Sequence, residues 1–313
     1  MTVLKTVDIK GFGKKIQGKV RDIYVQGDKR ILVTTDRISA FDRNLGHIPQ
    51  KGAVLNLLAA FWFEKTKDII KNHLISVPDP NVSFVKSAKL IPIEMVVRGY
   101  ITGITNTSIW GSYEAGERII YGVKFPKGLK KNQKLPKPVI TPTTKAEIGH
   151  DERLTEKEII DRKIVSLKIW QEMKKTALGL FDRGTKICEK AGIILVDTKY
   201  EFGLLNGKLI LIDEIHTPDS SRFWIKRTYP ERFKKGLEPE NFDKEILRLW
   251  YAKKGYKGDG TPPKMSKKLI TNLSKRYIAI YEKITGKKFV PDTSKNVNKR
   301  IEDNLRGISP LLV

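Results

Sequence analysis

The segment spanning residues 193–214 constrains this chain most. It reads IILVDTKYEFGLL, then Asn206-Gly207, then KLILIDE. Two apolar, β-branched runs joined by Asn-Gly form the strongest short-range hairpin signal, because these two residues accept the positive φ angles of a two-residue turn. Strands this apolar are buried, and buried strands rarely carry as many charges as Asp197, Lys199, Glu201, Asp213 and Glu214. Side chains alternate along a strand, so Asp197, Lys199 and Glu201 share one face, and the hairpin carries Asp213 across toward them. Facing carboxylates with a lysine nearby suit Mg²⁺ carrying nucleotide phosphates, with hard oxygens for the ion and an ammonium for the phosphate. An exposed hairpin face bearing solvated charges would show the same spacing.

Elsewhere the pattern is mixed. Residues 19–25 and 30–35 are β-branched runs separated by Gly27-Asp28, a second hairpin signal. Residues 52–67 (GAVLNLLAAFWFEKTK) are helix formers, apolar on most faces, and predict a helix packed on the sheet. Strand-like runs follow at 73–77, 83–87 and 93–98. Residues 124–142 hold four Pro and six Lys, which predicts a long surface loop. Thr155 and Glu158 have capping-box spacing, and apolar residues recurring from Ile160 to Phe181 predict one long amphipathic helix. Beyond Pro230 the chain reads as helical, at 243–253 and 262–284.

With 60 basic and 35 acidic residues the chain carries a net charge of +25, which admits nucleic acid, an anionic membrane surface or small polyanions as partners. The excess is spread along the chain, and 44 of the 60 cations are Lys. A nucleic-acid reader leans on Arg for bidentate contacts, so a solvated Lys-rich surface is favoured over nucleic-acid binding. The most apolar window, residues 54–63, is about half a membrane span, which argues against insertion. The single Cys188 can form no internal disulfide, and the first residues (MTVLKTVDIKGFGKK) lack an apolar signal core. Together these predict a cytoplasmic protein.

Three further clusters carry chemistry. GKVRDIY, at 18–24, has the glycine and cations of a loop closing over phosphates, although an ordinary turn with exposed lysines looks the same. HTPDSSRFW, at 216–224, sets hydroxyls beside Arg222, which suits a phosphomonoester but also a turn and helix cap. TPTTKAE, at 141–147, gathers hydroxyls around Lys145 ahead of His150 and Asp151. His150 and His216 lack zinc-site spacing.

In this order and spacing, GKVRDIY, TDRISAFD, EMVVRGYITG, LPKPVITPTTKAEIGHDE, LVDTKYEFG and LIDEIHTPDSSRFW resemble the phosphoribosylaminoimidazole-succinocarboxamide synthase (SAICAR synthetase) family, from about Gly18 to Trp224. The resemblance implies an α/β (α+β) fold of two lobes, related to ATP-grasp and kinase-like folds, with antiparallel sheets and flanking helices. Residues 1–94 would form the lobe with the phosphate loop. Residues 95–313 would form the lobe with the metal, nucleotide-substrate and aspartate sites, and its last ninety residues would supply helices covering that second lobe. The implied activity is a ligase joining L-aspartate to the carboxylate of carboxyaminoimidazole ribonucleotide (CAIR) while ATP is split.

The resemblance also assigns roles. Lys19, Val20 and Arg21 would lie on the ATP phosphates, Glu201 and Asp213 would hold Mg²⁺, and Lys199 would contact phosphate. Arg98, Asp219, Ser221 and Arg222 would bind CAIR, and Thr143, Thr144, Lys145 and Asp151 would line the acceptor pocket. The resemblance does not fix the acceptor of the amine proton, for which Asp151 and Asp213 are the candidates. Some members have Ser directly after the Gly of the ITG motif, where this chain has Ile104 and then Thr105. A small-molecule or protein kinase would share the loop, the lysine and the paired acids, and would turn over without aspartate. A basic nucleic-acid-binding protein would show no nucleotide turnover.

Overall fold

The computed structural model describes residues 2–307 except 42, 104–106, 146–150 and 257. The residues around Ile104 and Thr105, with Ala146, Glu147 and His150, therefore lie outside the described residues. The first lobe is built on an antiparallel sheet. Strands β1 (Lys14–Gln17), β2 (Arg21–Gln26) and β3 (Lys29–Thr34) are followed by a ribbon of β4 (Arg37–Ala40) and β5 (Arg43–His47) and by helix α1 (Lys51–Thr66). Strands β6 (Leu74–Asp79) and β7 (Val82–Lys86) then complete the sheet in the order β1-β2-β3-β7-β6. The Gly27-Asp28 hairpin joins β2 to β3 as expected. Helix α1 is apolar on most faces because it is buried on most faces, from Val54 through Leu58 to Trp62.

The second sheet starts with β8 (Lys89–Ile101), so the expected lobe division at 94/95 falls inside one of its strands. Helix α2 (Ile109–Glu114) and a short ribbon, β9 (Ile119–Ile120) and β10 (Val123–Lys124), lead to β11 (Gln133–Thr144). The long loop expected over 124–142 is thus largely a strand. Its prolines are tolerated because β11 is a sheet edge. Pro136 and Pro138 fall in a register irregularity between Lys134 and Val139, and the outer side of Pro142, where an N–H is missing, faces residues 152–154.

Helix α3 (Glu156–Asp161) carries the capping box of Thr155 and Glu158, but the single long helix is two. Lys163 takes a left-handed φ of 53°, and the Ser166 hydroxyl caps a new helix, α4 (Leu167–Lys190). Strands β12 (Ile193–Leu205) and β13 (Lys208–Ile212) form the expected Asn-Gly hairpin, and β14 (Ser221–Ile225) pairs with the start of β12. The order β11-β8-β12-β13 puts β8 and β12 at the centre.

Helices α5 (Tyr229–Lys234), α6 (Glu245–Lys253), α7 (Lys267–Thr285) and α8 (Val297–Arg306) follow. They do not all cover the second lobe. Leu247, Tyr251, Leu273 and Tyr277 join the main core with α1, α4 and the second sheet. Helix α8 instead returns to the first sheet, where Val297, Ile301 and Leu305 pack with Leu4, Val7, Tyr24 and Phe84. No helix among the described residues is long and apolar enough to cross a membrane.

Candidate active site

The register of the second sheet assembles the site. Across β8 and β12, Asp197 pairs with Arg98, Lys199 with Val96 and Glu201 with Glu94. On the outer strands, Thr141 and Thr143 face Val96 and Glu94, and Arg222 faces Asp197. Because side chains alternate, one face collects Glu94, Arg98, Asp197, Lys199, Glu201 and Arg222. The other face turns Ile93, Met95, Val97, Tyr200 and Phe202 into the core. Asp213 and Glu214 lie just past the end of β13, beside the Glu201–Ile212 pair.

At one end of this face, cations and carboxylates alternate. Lys199 Nζ meets Glu94 Oε1 at 2.6 Å and Glu201 Oε1 at 2.7 Å, and Lys145 pairs with the other Glu201 oxygen. Arg21 reaches across from the first lobe to Asp213 and, at 3.2 Å, to Glu214. Burial opposes ionisation of Asp213, but the Arg21, Lys199 and Lys145 charges outweigh it and hold this carboxyl well below the usual range. Burial likewise opposes the Lys199 charge, yet Glu201, Glu94 and Asp213 raise its pKa well above the ordinary lysine value. Glu94 is pushed up by burial, against Lys199.

Beside them an apolar cleft opens between the two sheets. It is lined by Ile23, Leu32, Val85, Leu90 and Ile212, with Arg30, His73 and Lys86 also on its walls and Arg21, Lys145, Glu201 and Asp213 from the charged cluster. Its first-lobe wall is the opposite face of the strands whose Tyr24, Ile31 and Phe84 lie in the first-lobe core. The bend at 18–20 is held by Arg37, whose guanidinium donates to the Gly18 carbonyl at 3.0 Å, the Lys19 carbonyl at 3.2 Å and Asp22 Oδ1 at 2.8 Å. Lys19 is exposed on this bend and Val20 half-buried.

At the other end of the face, Asp197 receives Arg222 at 2.6 Å and Arg98 at 3.5 Å. Arg98 also donates to Thr141 Oγ1 at 2.8 Å, and the Ser221 hydroxyl donates to Thr198 Oγ1 at 2.8 Å. Glu245, opening α6, lies 3.8 Å from Arg222 Nε. A buried and a part-buried guanidinium with hydroxyls alongside suit a phosphate monoester.

Among the expected residues, Arg21, Lys145, Lys199, Glu201 and Asp213 therefore gather in one cluster, and Arg98, Ser221 and Arg222 in a second. Thr143 is buried beside Glu94, whereas the Thr144 hydroxyl accepts the Glu152 N–H. Asp151 is exposed, and its charge contributes to the upward shift of Glu94. Asp219 lies apart from both clusters, with one oxygen on Lys51 and the other on Tyr277. Sequence reasoning placed Asp197 on the charged hairpin face without giving it a partner, and missed Glu94, Arg37 and Glu245 as members of the site. Glu94 and Arg98 do alternate in the apolar run IPIEMVVRG, a signal of the kind that marked the hairpin.

The SAICAR synthetase family description matches residues 14–264. A phosphoribosylaminoimidazole-succinocarboxamide synthase from Legionella pneumophila (strain Lens) is 52% identical over 299 residues, covering 94% of this chain and 95% of the relative. The chloroplastic enzyme of that name from Arabidopsis thaliana is 48% identical over 300 residues, covering 95% of this chain and 72% of the relative. Among solved structures, SAICAR-synthase from Saccharomyces cerevisiae complexed with SAICAR has a TM-score of 0.78 at 32% identity, covering 91% of this chain and 99% of that one. A SAICAR synthetase in complex with ADP has a TM-score of 0.68 at 27% identity, covering 88% and 100%.

Proposed function

Because the chain belongs to the SAICAR synthetase family, we infer that it is an ATP-dependent ligase of purine biosynthesis, joining L-aspartate to the carboxylate of CAIR and releasing SAICAR, ADP and phosphate. The observation that carries this reading is the single sheet face that sets the Arg21–Lys145–Lys199–Glu201–Asp213 cluster beside the Arg98–Arg222 pair. The first abuts an apolar cleft suited to a nucleotide, and the second suits the phosphate of CAIR.

A carboxylate will not accept an amine at neutral pH, because its oxygen is a very poor leaving group. In our reading a CAIR carboxylate oxygen attacks the γ-phosphorus of ATP, and the bond to the bridging oxygen breaks with ADP leaving. The aspartate amine then attacks the acyl carbon, the bond to the transferred phosphate breaks, and the amine gives up a proton. Neither step needs a protein nucleophile, so the chain contributes positioning and charge. Lys19, Arg21, Lys145 and Lys199 would surround the migrating phosphoryl group. Arg98, Ser221 and Arg222 would hold CAIR, with Thr143 and Thr144 at the acceptor side. Asp151, an exposed carboxylate on that side, would take the amine proton.

Among the described residues, no three metal-ligating side chains converge. Mg²⁺ in a nucleotide site needs only one or two protein carboxylates, since phosphates and water complete its shell. Glu201 and Asp213 fit that donor set and would hold it. When bound, Mg²⁺ neutralises phosphate charge and polarises the γ-phosphoryl group. We place the ligase in the cytosol, a setting that suits its one buried, unbridged cysteine.

The test is ADP release by the purified protein with ATP, Mg²⁺, CAIR and aspartate, leaving out each in turn. All four are required, and sustained release without aspartate would overturn the ligase reading. The acyl phosphate is checked with CAIR labelled with ¹⁸O in its carboxylate, which should deliver one label into inorganic phosphate.

A further inference from the structure

Between Asp213, at the phosphoryl end of the cleft, and Arg222, at the arginine end, runs a short contorted connection. Asp213 and His216 adopt left-handed φ values of 66° and 48°, which non-glycine residues keep only where their surroundings over-determine them. Bonds within the connection close it on itself. The Thr217 carbonyl accepts Ser220 N at 3.1 Å and Ser221 N at 2.9 Å, and the Thr217 hydroxyl donates to Glu214 Oε2 at 2.9 Å.

A second set of contacts fixes the connection to the rest of the molecule, through Asp219. Lys51 Nζ, from the first turn of α1, meets Asp219 Oδ2 at 2.8 Å, and the Tyr277 hydroxyl, from α7, donates to Asp219 Oδ1 at 2.6 Å. The Lys51 and Asp219 side chains are 0% and 4% exposed, and Lys51 Nζ also lies 5.8 Å from the centre of the Tyr277 ring. Helix α1 is inserted between strands of the first sheet and α7 comes from the C-terminal region, so three distant parts of the chain meet at one carboxylate. A buried ion pair is a poor device for stability alone, since apolar residues of similar volume do as well or better. What this one does is hold a strained segment whose two ends carry reacting-site residues.

We propose that Lys51 and Tyr277 are positioning residues of the ligase, which act through Asp219 to keep Asp213 and Arg222 in register so that CAIR and the γ-phosphate of ATP meet in line. This rests on the functional reading above and goes beyond it, because neither side chain belongs to the two site clusters. It also gives α7, in a region without recognisable motifs, a part in the reaction.

The test is Tyr277→Phe, which removes one hydroxyl and keeps the ring. The expected result is a fall of about 10- to 100-fold in kcat/KM for CAIR, the order of loss that small misplacements cause, with KM for ATP near wild type. In an Asp219→Ala background the same substitution should have no further effect, because the acceptor of the Tyr277 hydroxyl is already gone. Lys51→Met should show the same split where it folds, and Tyr277→Phe carries the test where it does not. A Tyr277→Phe protein with a lowered melting temperature but wild-type kcat and CAIR KM would overturn the proposal. So would a fully additive loss in the double variant. Wild-type protein assayed alongside keeps the two readings separate: its failure to release ADP with CAIR and aspartate would count against the ligase assignment itself.

Discussion

At the scale of single residues, the charges on the sheet face differ in what their loss should do. Asp213 is one of two carboxylates on Arg21, the other being Glu214. Asp213→Asn keeps the volume and leaves Arg21 a partner, so the fold should survive. The variant would lose the proposed metal ligand, and turnover should drop by about 10³-fold, as for loss of a preorganised charge contact. Near-wild-type turnover at saturating Mg²⁺ would remove Asp213 from the metal site. Arg222 pairs with Asp197 at the opposite end. Arg222→Ala would lose the proposed charge-assisted phosphate contact, roughly 1.5–3 kcal/mol, so KM for CAIR should rise by about 10- to 150-fold with KM for ATP little changed. An effect confined to ATP would contradict this placement. Asp197, Glu201 and Asp213 are legible in the sequence because charge inside an apolar strand is anomalous by itself. Arg37 is not, because its role comes from reaching back to the Gly18 and Lys19 carbonyls, a long-range contact that spacing does not encode.

At the scale of elements, legibility follows how local the determining forces are. The hairpin at Asn206-Gly207 and helix α1 are written in turn chemistry and continuous apolar runs, and both form as expected. The strand β11 is hidden because prolines read as breakers unless the strand is known to be an edge, which is a property of the sheet. The break between α3 and α4 is hidden for a different reason: the apolar spacing carries on past it. Only Ser166, a hydroxyl able to cap Ile169 N, marks the restart. A tight contact at the start of α1 makes a test at this scale. A Cβ at Gly52 would overlap the Thr34 carbonyl oxygen and lie 2.7 Å from Asn81 Nδ2. The Thr34 obstacle is backbone and yields poorly, so Gly52→Ala should destabilise by about 1–3 kcal/mol despite the better helix propensity of Ala. Urea unfolding checks this, and a stability equal to wild type would mean that α1 moves freely relative to β3.

For the whole molecule, the net charge of +25 acquires a limited meaning. The substrates of the proposed reaction are all anions, and Lys19, Arg21, Arg98, Lys145, Lys199 and Arg222 suffice to receive them. How the molecule as a whole responds to acid depends instead on groups it buries. His216 is 0% exposed, has Trp62 edge-on at 4.6 Å and shares a 2.6 Å hydrogen bond with Tyr200, and burial lowers its pKa to about 3. His73 is lowered to about 4, again by burial. Both are neutral when folded at pH 5, whereas in the unfolded chain an ordinary histidine is mostly protonated there. A depressed histidine pKa therefore supports stability fully above about pH 6.5, and that support is lost as the pH falls toward the folded value. Asp243 works in the opposite direction: burial and Glu245 raise it to about 6, so it binds a proton more readily folded than unfolded. The net slope mixes these signs, and the difference between two proteins isolates one of them. His216→Phe keeps a ring against Trp62 and removes one proton site. Between pH 7 and pH 5 its unfolding free energy should fall by about 2 kcal/mol less than that of wild type, which urea titrations at the two pH values would measure. Equal falls in the two proteins would mean that His216 already takes up its proton in the folded state.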